Sequence, residues 1–421
     1  MIGWVMSKTV GIIGGGIIGL STAYYLDKAG HKVTILDQGN MQVGCSTGNA
    51  GMIVPSHFIP LAAPGMIAKG IRWMFNSQSP FYVRPRFSGD LLKWGYQFYK
   101  HSTKQHVEHS IPALTEINAL SKAMYQQWSK ELPFDFDFHE RGLLMLYKSA
   151  TIEKEEIETA HLANKIGVEA HVLDSKAVQQ LEPDVKVDVR GGIYFPGDAH
   201  LTPSKLFSGM ISYLKGRGVN FVTSCEVNDF EVANGLVKRV FTSNETFAFD
   251  ELVIATGSWS GSVMKKLQLD LPMQAGKGYS FTIPEVEKNV RVPSIFLEAR
   301  VAVTPMGNDL RFGGTMEIAG VDHSINLNRV RGIVASIPNY YPEMDVKMPD
   351  VNKIWHGLRP CSPDGLPYIG RLRSFNNVVV STGHSMMGLS LAPGTGKLTA
   401  ELVERQRPSM ELDPFNVERF N

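Results

Sequence analysis

The first apolar run, Val10-Gly11-Ile12-Ile13, is short and continuous, as a strand buried on both faces reads, and it stops at Gly14. Leu20, Ala23 and Leu26 then recur at helical spacing up to Ala29-Gly30-His31, where Gly30 suits the position just past a helix end. Val33-Thr34-Ile35-Leu36 is a second apolar run, and it ends on Asp37. The opening unit is therefore strand, helix, strand. From about Phe58 to Arg141 the pattern changes: aromatics and prolines rise, and helical periodicity runs from Ile111 to Leu132, as in an insertion out of the first domain. A charged helix is predicted over Ala150 to Gly167, a strand and turn over Gly192 to His200, and a helix over Pro203 to Gly218, with Pro203 near its first turn. Short strand patterns at Val219–Val222, Glu226–Glu231, Leu236–Thr242 and Thr246–Phe249 lead back to an apolar strand ending in Ala255-Thr256-Gly257. An antiparallel block from Met273 to about Gly314 follows, then a strand at Asn377–Ser381 and a glycine-rich turn into a final helix.

The first unit carries glycines where a bound dinucleotide needs them. In Gly14-x-Gly16-x-x-Gly19, Gly14 permits the tight turn and Gly16 lets the backbone approach a pyrophosphate. Gly19 lets the helix pack closely on the strand. The helix N-terminus, with its unpaired N–H groups and dipole, favours that anion. Asp37 can accept hydrogen bonds from both hydroxyls of an adenosine ribose, and its charge argues against a 2′-phosphate. The small residues from Gly44 to Gly51 let the backbone meet a second cofactor segment, with Ser46 or Asn49 donating; the alternative is a flexible surface turn. The Ala255-Thr256-Gly257 strand end falls beside the first glycine turn. The final helix offers a second set of backbone donors to electron-rich cofactor atoms.

At 421 residues the chain exceeds the roughly 250–300 at which a single core stops growing, so two domains are expected. With 43% apolar and 20% charged residues, a net charge of +1 and no basic run, the chain reads as globular with no nucleic-acid partner. Cys45, Cys225 and Cys361 form no C-x-x-C pair, so neither a zinc site nor a disulfide framework is expected. Met1 to Met6 read as a disposable leader; the N-terminus lacks the basic region of a signal peptide, and no apolar run reaches the ~18 residues of a membrane span. The expected location is the cytoplasm. The basic and aromatic stretch Ile67 to Lys100 reads either as a half-buried cap or as a peripheral contact with the inner membrane.

Gly14 to Asp37, Leu252 to Ser260 and Gly357 to Leu398 together resemble the FAD-dependent amine and D-amino-acid oxidoreductase family, over nearly the whole chain. Within it, Gly48-Asn49-Ala50-Gly51, Leu61-Ala62-Ala63-Pro64-Gly65, Lys277-Gly278-Tyr279-Ser280 and Thr382-Gly383-His384 look most like bacterial D-amino-acid and hydroxyproline dehydrogenases. Gly357-Leu358-Arg359-Pro360 with Asp364-Gly365-Leu366-Pro367-Tyr368-Ile369-Gly370 also resembles glycine oxidase. The resemblance implies an α/β, two-domain fold. A discontinuous Rossmann-like FAD-binding domain of glutathione-reductase type is expected over 8–57, 195–264 and 346–421, and an antiparallel-sheet substrate domain over 58–194 and 265–345. It implies non-covalent FAD, with contacts expected from Gly14, Gly16, Ile17, Ile18, Gly19, Asp37, Gln38, Ser46, Asn49, Ala50, Gly51, Met52, Val227, Thr256, Gly257, Trp259, Gly383, Gly388, Leu389 and Ser390. No metal is implied.

The implied chemistry is transfer of a hydride from the carbon bearing the amine to flavin N5, giving an imine and then a 2-oxo acid. Such a reaction needs a neutral amine, a dry flavin face and a group that orients the substrate carboxylate. Arg359 matches the family's carboxylate-binding arginine; the alternative is a structural arginine paired with an acid such as Asp364. The chain departs from glycine oxidases at Ala302, where they carry an aromatic residue, and at Met387, where they carry a further arginine, so a larger and less polar pocket is expected. Tyr279 is a candidate to replace the lost hydroxyl, and His57 or His384 to keep the amine neutral. The substrate class is an amino or imino acid, with quinone or oxygen as acceptor. The rival readings are an oxygen-using oxidase of glycine or N-methyl amines, a non-catalytic flavin-binding subunit, and a nicotinamide-dependent dehydrogenase.

Overall fold

A computed structural model describes residues 7–41, 44–66, 79–84, 86 and 88–421. The expected leader and residues 67–78 of the basic-aromatic stretch lie outside the described residues. Thr9–Ile13 enters the centre of a six-stranded sheet, ordered Tyr368–Arg371, Val378–Thr382, Glu251–Ile254, Thr9–Ile13, Lys32–Leu36, Asn220–Val222. The pairs within it are parallel except Tyr368–Arg371 against Val378–Thr382. Val10 and Ile12 are fully buried on one face and Ile13 is buried on the other, as a parallel strand covered on both faces requires. Helix Ile17–Lys28 begins inside the glycine motif, and Gly30, at φ +86°, takes the chain out of it. The expected small antiparallel sheet is formed by Val227–Ala233, Leu236–Thr242 and Thr246–Phe247.

The second sheet has nine strands, including Gln274–Ile283, Asp309–Ile318, Val301–Met306 and Ser294–Phe296, and continues through Leu143–Tyr147 and Gly191–Phe195. Trp355–Cys361 is its edge strand, paired antiparallel with Gln274–Ile283. The stretch 346–421 was expected to belong wholly to the nucleotide domain; this segment instead joins the second sheet, carrying Arg359 with it. The long helix spans Lys104–Glu131, beginning seven residues before the apolar periodicity does, because Thr103 caps its first turn by accepting from His106 N. Its Ser121 and Tyr125 hydroxyls donate to the Ser390 and Leu389 carbonyls at 2.6 Å each, so it braces the last glycine turn. Final helix Ala392–Glu404 packs on Ile17–Lys28 so closely that a Cβ on Gly396 would lie 2.5 Å from the Ser21 backbone.

The C-terminal tail clamps the turn after the edge strand. Arg419 grips Asp364 through two bonds, Nε to Oδ2 at 2.7 Å and Nη2 to Oδ1 at 2.9 Å. Burial pushes the Asp364 pKa up, but the pairing with Arg419 and the other bonds it accepts outweigh this, and the net shift is down. Its stabilisation is therefore present above the ordinary carboxylate pKa and lost as pH falls through the lowered one. Arg419→Met is expected to destabilise the fold by about 3–5 kcal/mol at pH 7, because it strands a buried carboxylate. Denaturant midpoints should show the deficit shrinking towards pH 3, as Asp364 takes up a proton; a pH-independent deficit would refute the ion-pair account.

Candidate active site

Ile13 pairs with Ile254, and Ile254 with Val380, so three adjacent parallel strands end level with one another. Gly14, Gly257 and Gly383 follow those ends and all hold positive φ, at +106°, +54° and +79°. A Cβ on Gly14 would lie 2.4 Å from the Ala255 carbonyl, and one on Gly19 would lie 2.0 Å from the Gly14 carbonyl. Both glycines are thus required by close approach. Gly16 differs: the nearest atom to a Cβ there is Ser46 Oγ at 3.8 Å, and Gly16, the residue before the helix, has no side chain of its own to cap it. An anionic pyrophosphate fits at such a helix N-terminus. Asp37 accepts from Gly15 N at 2.7 Å and Gly39 N at 2.8 Å, which fixes its carboxylate against the turn, with Gln38 exposed beside it. Asp37 also reaches the small antiparallel sheet, since its carbonyl accepts from Cys225 N at 2.9 Å, two residues before the buried Val227.

The strand ends are tied by hydroxyls. Thr256 Oγ1 lies 3.0 Å from Ser260 Oγ, which lies 2.7 Å from Thr382 Oγ1. Loop 44–51 closes over this crevice. Ser46 Oγ accepts from Ile17 N at 3.1 Å, and Asn49 Oδ1 accepts from Gly51 N at 2.9 Å. Further along, Met52–Ile53 forms a short strand and Ser390 Oγ accepts from Val54 N at 2.9 Å. Loop, first glycine turn and last glycine turn therefore meet, and the residues present fit FAD.

On the roof, Arg359 is register partner to Gly276, so its side chain shares a face with Gly276, Gly278 and Ser280. The guanidinium lies across Gly278, where a Cβ would be 2.3 Å away. Arg359 Nη1 donates to the Thr315 carbonyl at 2.6 Å, and Thr315 turns that carbonyl inward through a left-handed backbone, φ +66°. The register shift between Lys277 and Tyr279 marks a bulge at this point. Among the described residues no carboxylate pairs with Arg359, and Asp364, its suspected structural partner, is taken by Arg419. Burial lowers the Arg359 pKa.

Two expected residues do not join this face. Tyr279 pairs with His356 and points through the other side of the sheet. It is 1% exposed there; its hydroxyl donates to Glu317 Oε2 at 3.0 Å and accepts from Asn326 N at 3.1 Å. It packs the core and cannot supply the missing hydroxyl. His384 is enclosed, with Nε2 3.0 Å from Thr395 Oγ1, and burial pushes its pKa down to about 3. Its Nε2 anchors the turn to the final helix, while its Nδ1 is buried with no hydrogen-bond partner among the described residues. His57 is half-buried, with Nδ1 3.2 Å from Ser56 Oγ; burial and, less strongly, Arg300 push its pKa down to about 4. Trp259 stands just past Gly257, its ring stacked on His323 at 6.1 Å.

Ala302 and Met387, far apart in sequence, pack against one apolar cluster with Met52, Val54 and Leu143, joined by Met145 and Ile295. Sequence reasoning missed Arg311. Its Nη1 donates to the carbonyls of Thr47 at 3.3 Å and Asn49 at 2.9 Å, and its Nε to Thr282 Oγ1 at 3.0 Å, so it holds loop 44–51 in place. Burial lowers its pKa to about 10. Strand alternation between Leu310 and Phe312 marks it as outward-facing and carries no signal of the loop that covers it.

A crevice at the carboxyl ends of a parallel sheet, closed by an antiparallel roof, is the architecture of enzymes that press a small molecule against a bound dinucleotide. The model of the family described as FAD dependent oxidoreductase matches residues 9–402, and the chain belongs to that family. It is an FAD-dependent enzyme, as its sequence resemblance implies. A D-amino acid dehydrogenase of Granulibacter bethesdensis is 30% identical over 419 residues, covering 97% of this chain and 99% of its own. One of Neisseria meningitidis is 30% identical over 423 residues with the same coverage. The crystal structure of glycine oxidase from Geobacillus kaustophilus superposes with a TM-score of 0.77 at 23% identity, covering 99% of both chains. L-proline dehydrogenase from P. horikoshii gives 0.73 at 18% identity, covering 98% of each chain.

Proposed function

We propose that this enzyme oxidises the CH–NH bond of a D-amino acid or a D-proline-type imino acid. One observation carries the reading: a guanidinium with no carboxylate partner among the described residues, held across Gly278 on the inner face of the roof. A half-buried cation with only a carbonyl at one nitrogen is incomplete, and a substrate carboxylate completes it through two parallel bonds. The apolar wall with Ala302 and Met387 supports an uncharged side chain or ring in place of the hydrogen of glycine. When bound, FAD would supply the two-electron acceptor for this oxidation. Arg359 orients the carboxylate so that the alpha carbon faces the cofactor, the apolar wall excludes water, and His57 is proposed to take up a proton from the amine. Gly14, Gly16, Ile17, Ile18, Gly19, Asp37, Gln38 and Val227 are proposed to hold the adenosine diphosphate. Loop residues Ser46 to Met52, Thr256, Gly257 and Trp259, and Gly383 with Gly388 to Ser390, are proposed to hold the flavin without a covalent bond.

Anaerobic protein mixed with D- and L-amino acids, prolines and N-methyl glycines is expected to lose its flavin colour with small or cyclic D-substrates. Bleaching by L-enantiomers alone would refute the stereochemistry, and no bleaching by any would refute the reaction. Reoxidation by air against reoxidation by a quinone then assigns the acceptor. A peripheral membrane contact is supported by helix Gly89–His101. It buries Trp94 while Leu92, Tyr96 and Tyr99 stand 71%, 66% and 69% exposed on one stripe beside Lys93 and Lys100. Among the described residues no helix is long and apolar enough to cross a membrane.

A further inference from the structure

Asp198 is 1% exposed, and among the described residues no cation pairs with its carboxylate. Such a group is costly to keep unless its protonation is used. Its partners are both from Ser56: the amide donates to Oδ1 at 3.0 Å and the hydroxyl to Oδ2 at 2.5 Å. Ser56 has one hydroxyl proton, and against an ionised Asp198 that proton points at the carboxylate. Towards His57 Nδ1, 3.2 Å away, Ser56 therefore presents a lone pair, and Nδ1 carries the imidazole proton. Nε2 is left as a bare acceptor. Asp198, Ser56 and His57 form one string.

The string ends beside the pocket. Val54, a member of the apolar cluster with Ala302, accepts from His57 N at 3.0 Å, and Arg300, two residues before Ala302, is the charge that faces His57. From the long helix, Asn118 Nδ2 donates to the His57 carbonyl at 3.5 Å. Lys122 is the charge that faces Asp198, and it is paired with Glu140 at 3.2 Å.

We propose that Asp198 and Ser56 are positioning residues that make His57 the proton acceptor for the substrate ammonium group, with the proton stored on Asp198. The proposal rests on the amine-oxidation reading above. In the step, substrate N–H breaks and His57 Nε2–H forms; Nδ1–H passes to Ser56 Oγ as the Ser56 proton passes to Asp198 Oδ2. The substrate becomes a neutral amine and Asp198 a neutral acid, while His57 ends uncharged in its other tautomer. When product leaves, the same path returns the proton to solvent. Burial favours this division, since it lowers the His57 pKa to about 4 and raises that of Asp198 to about 7. The imidazole is a poor place to keep the charge, and the carboxyl a good one.

Two variants and two readouts test it. In Asp198→Asn, kcat/KM at pH 7 is expected to fall on the order of 100-fold, within the range of positioned general-base catalysis. It should recover towards the parent value above the substrate amine's own pKa, where free amine is abundant. Ser56→Ala should show the same recovery. A deficit equal at all pH values, or none, would overturn the proposal. Independently of turnover, 15N spectra recorded well above pH 7, where Asp198 is ionised, should show the His57 proton on Nδ1, the resonance being assigned by its loss in His57→Gln, and a tautomer mixture in Ser56→Ala. A proton on Nε2 in the parent would overturn the string. If no substrate bleaches the flavin even at alkaline pH, the amine-oxidation reading has failed, and the spectra still decide the string.

Discussion

Arg359→Ala is expected to yield a yellow, folded protein whose KM for its amino acid is raised by a factor of about 30 to several thousand. That range corresponds to the ~2–5 kcal/mol lost when one partner of a desolvated charge pair is removed. The guanidinium lies on the roof and donates to the Thr315 carbonyl, and among the described residues no hydrogen bond or ion pair ties it to the glycine turns. FAD retention should therefore match the parent, and kcat at saturation should fall far less than kcat/KM. Arg359→Lys should recover only part of the loss, because an ammonium makes a single point contact where the fork makes two. A KM unchanged in Arg359→Ala would remove the residue from substrate binding, and loss of colour would move it to the cofactor.

Gly14→Ala is expected to be purified without cofactor. Two costs add at this position: a backbone φ of +106° that disfavours any side chain, and a Cβ 2.4 Å from the Ala255 carbonyl. Backbone strain of about 1–3 kcal/mol and overpacking of about 1–3 kcal/mol both fall on the turn that approaches the pyrophosphate. The ratio of absorbance at 450 nm to that at 280 nm after gel filtration is the measurement. Full retention of flavin would show that the turn adjusts and that Gly14 does not define the cofactor seat. Gly16→Ala, with open space at its Cβ, should keep the fold while weakening FAD binding.

The nucleotide half was legible because each signal is local. A continuous apolar run needs burial on both faces, and glycines mark positions where a carbonyl comes within contact distance, as at Gly14 and Gly19. The small meander followed from strand alternation and helix Ala150–Lys165 from its charged run in the same way, the structure adding a Ser149 cap. The roof was less legible because its meaning depends on pairing. Tyr279 and Arg359 both look available in their motifs, yet the register setting Gly276 against Arg359 puts Tyr279 on the opposite face. His384 sits in a glycine turn that meets the cofactor loop, but Thr395, eleven residues on, turns its ring inwards. Arg311 and Asp198 act across more than a hundred residues of sequence, on Asn49 and Ser56, and neither distance is written in any local pattern.

The covering loop is fastened to the roof at its backbone: the Gly48 carbonyl accepts from Ser280 Oγ at 2.8 Å, and the Thr47 and Asn49 carbonyls from Arg311. The two halves thus share a seam, and the flavin seat proposed above is completed only when both have docked. Specificity can drift through the methyl and thioether groups lining the apolar wall, because those atoms carry no part of the seam. Ser280 and Arg311 have no such latitude, since altering either to suit a new substrate would loosen the coenzyme as well.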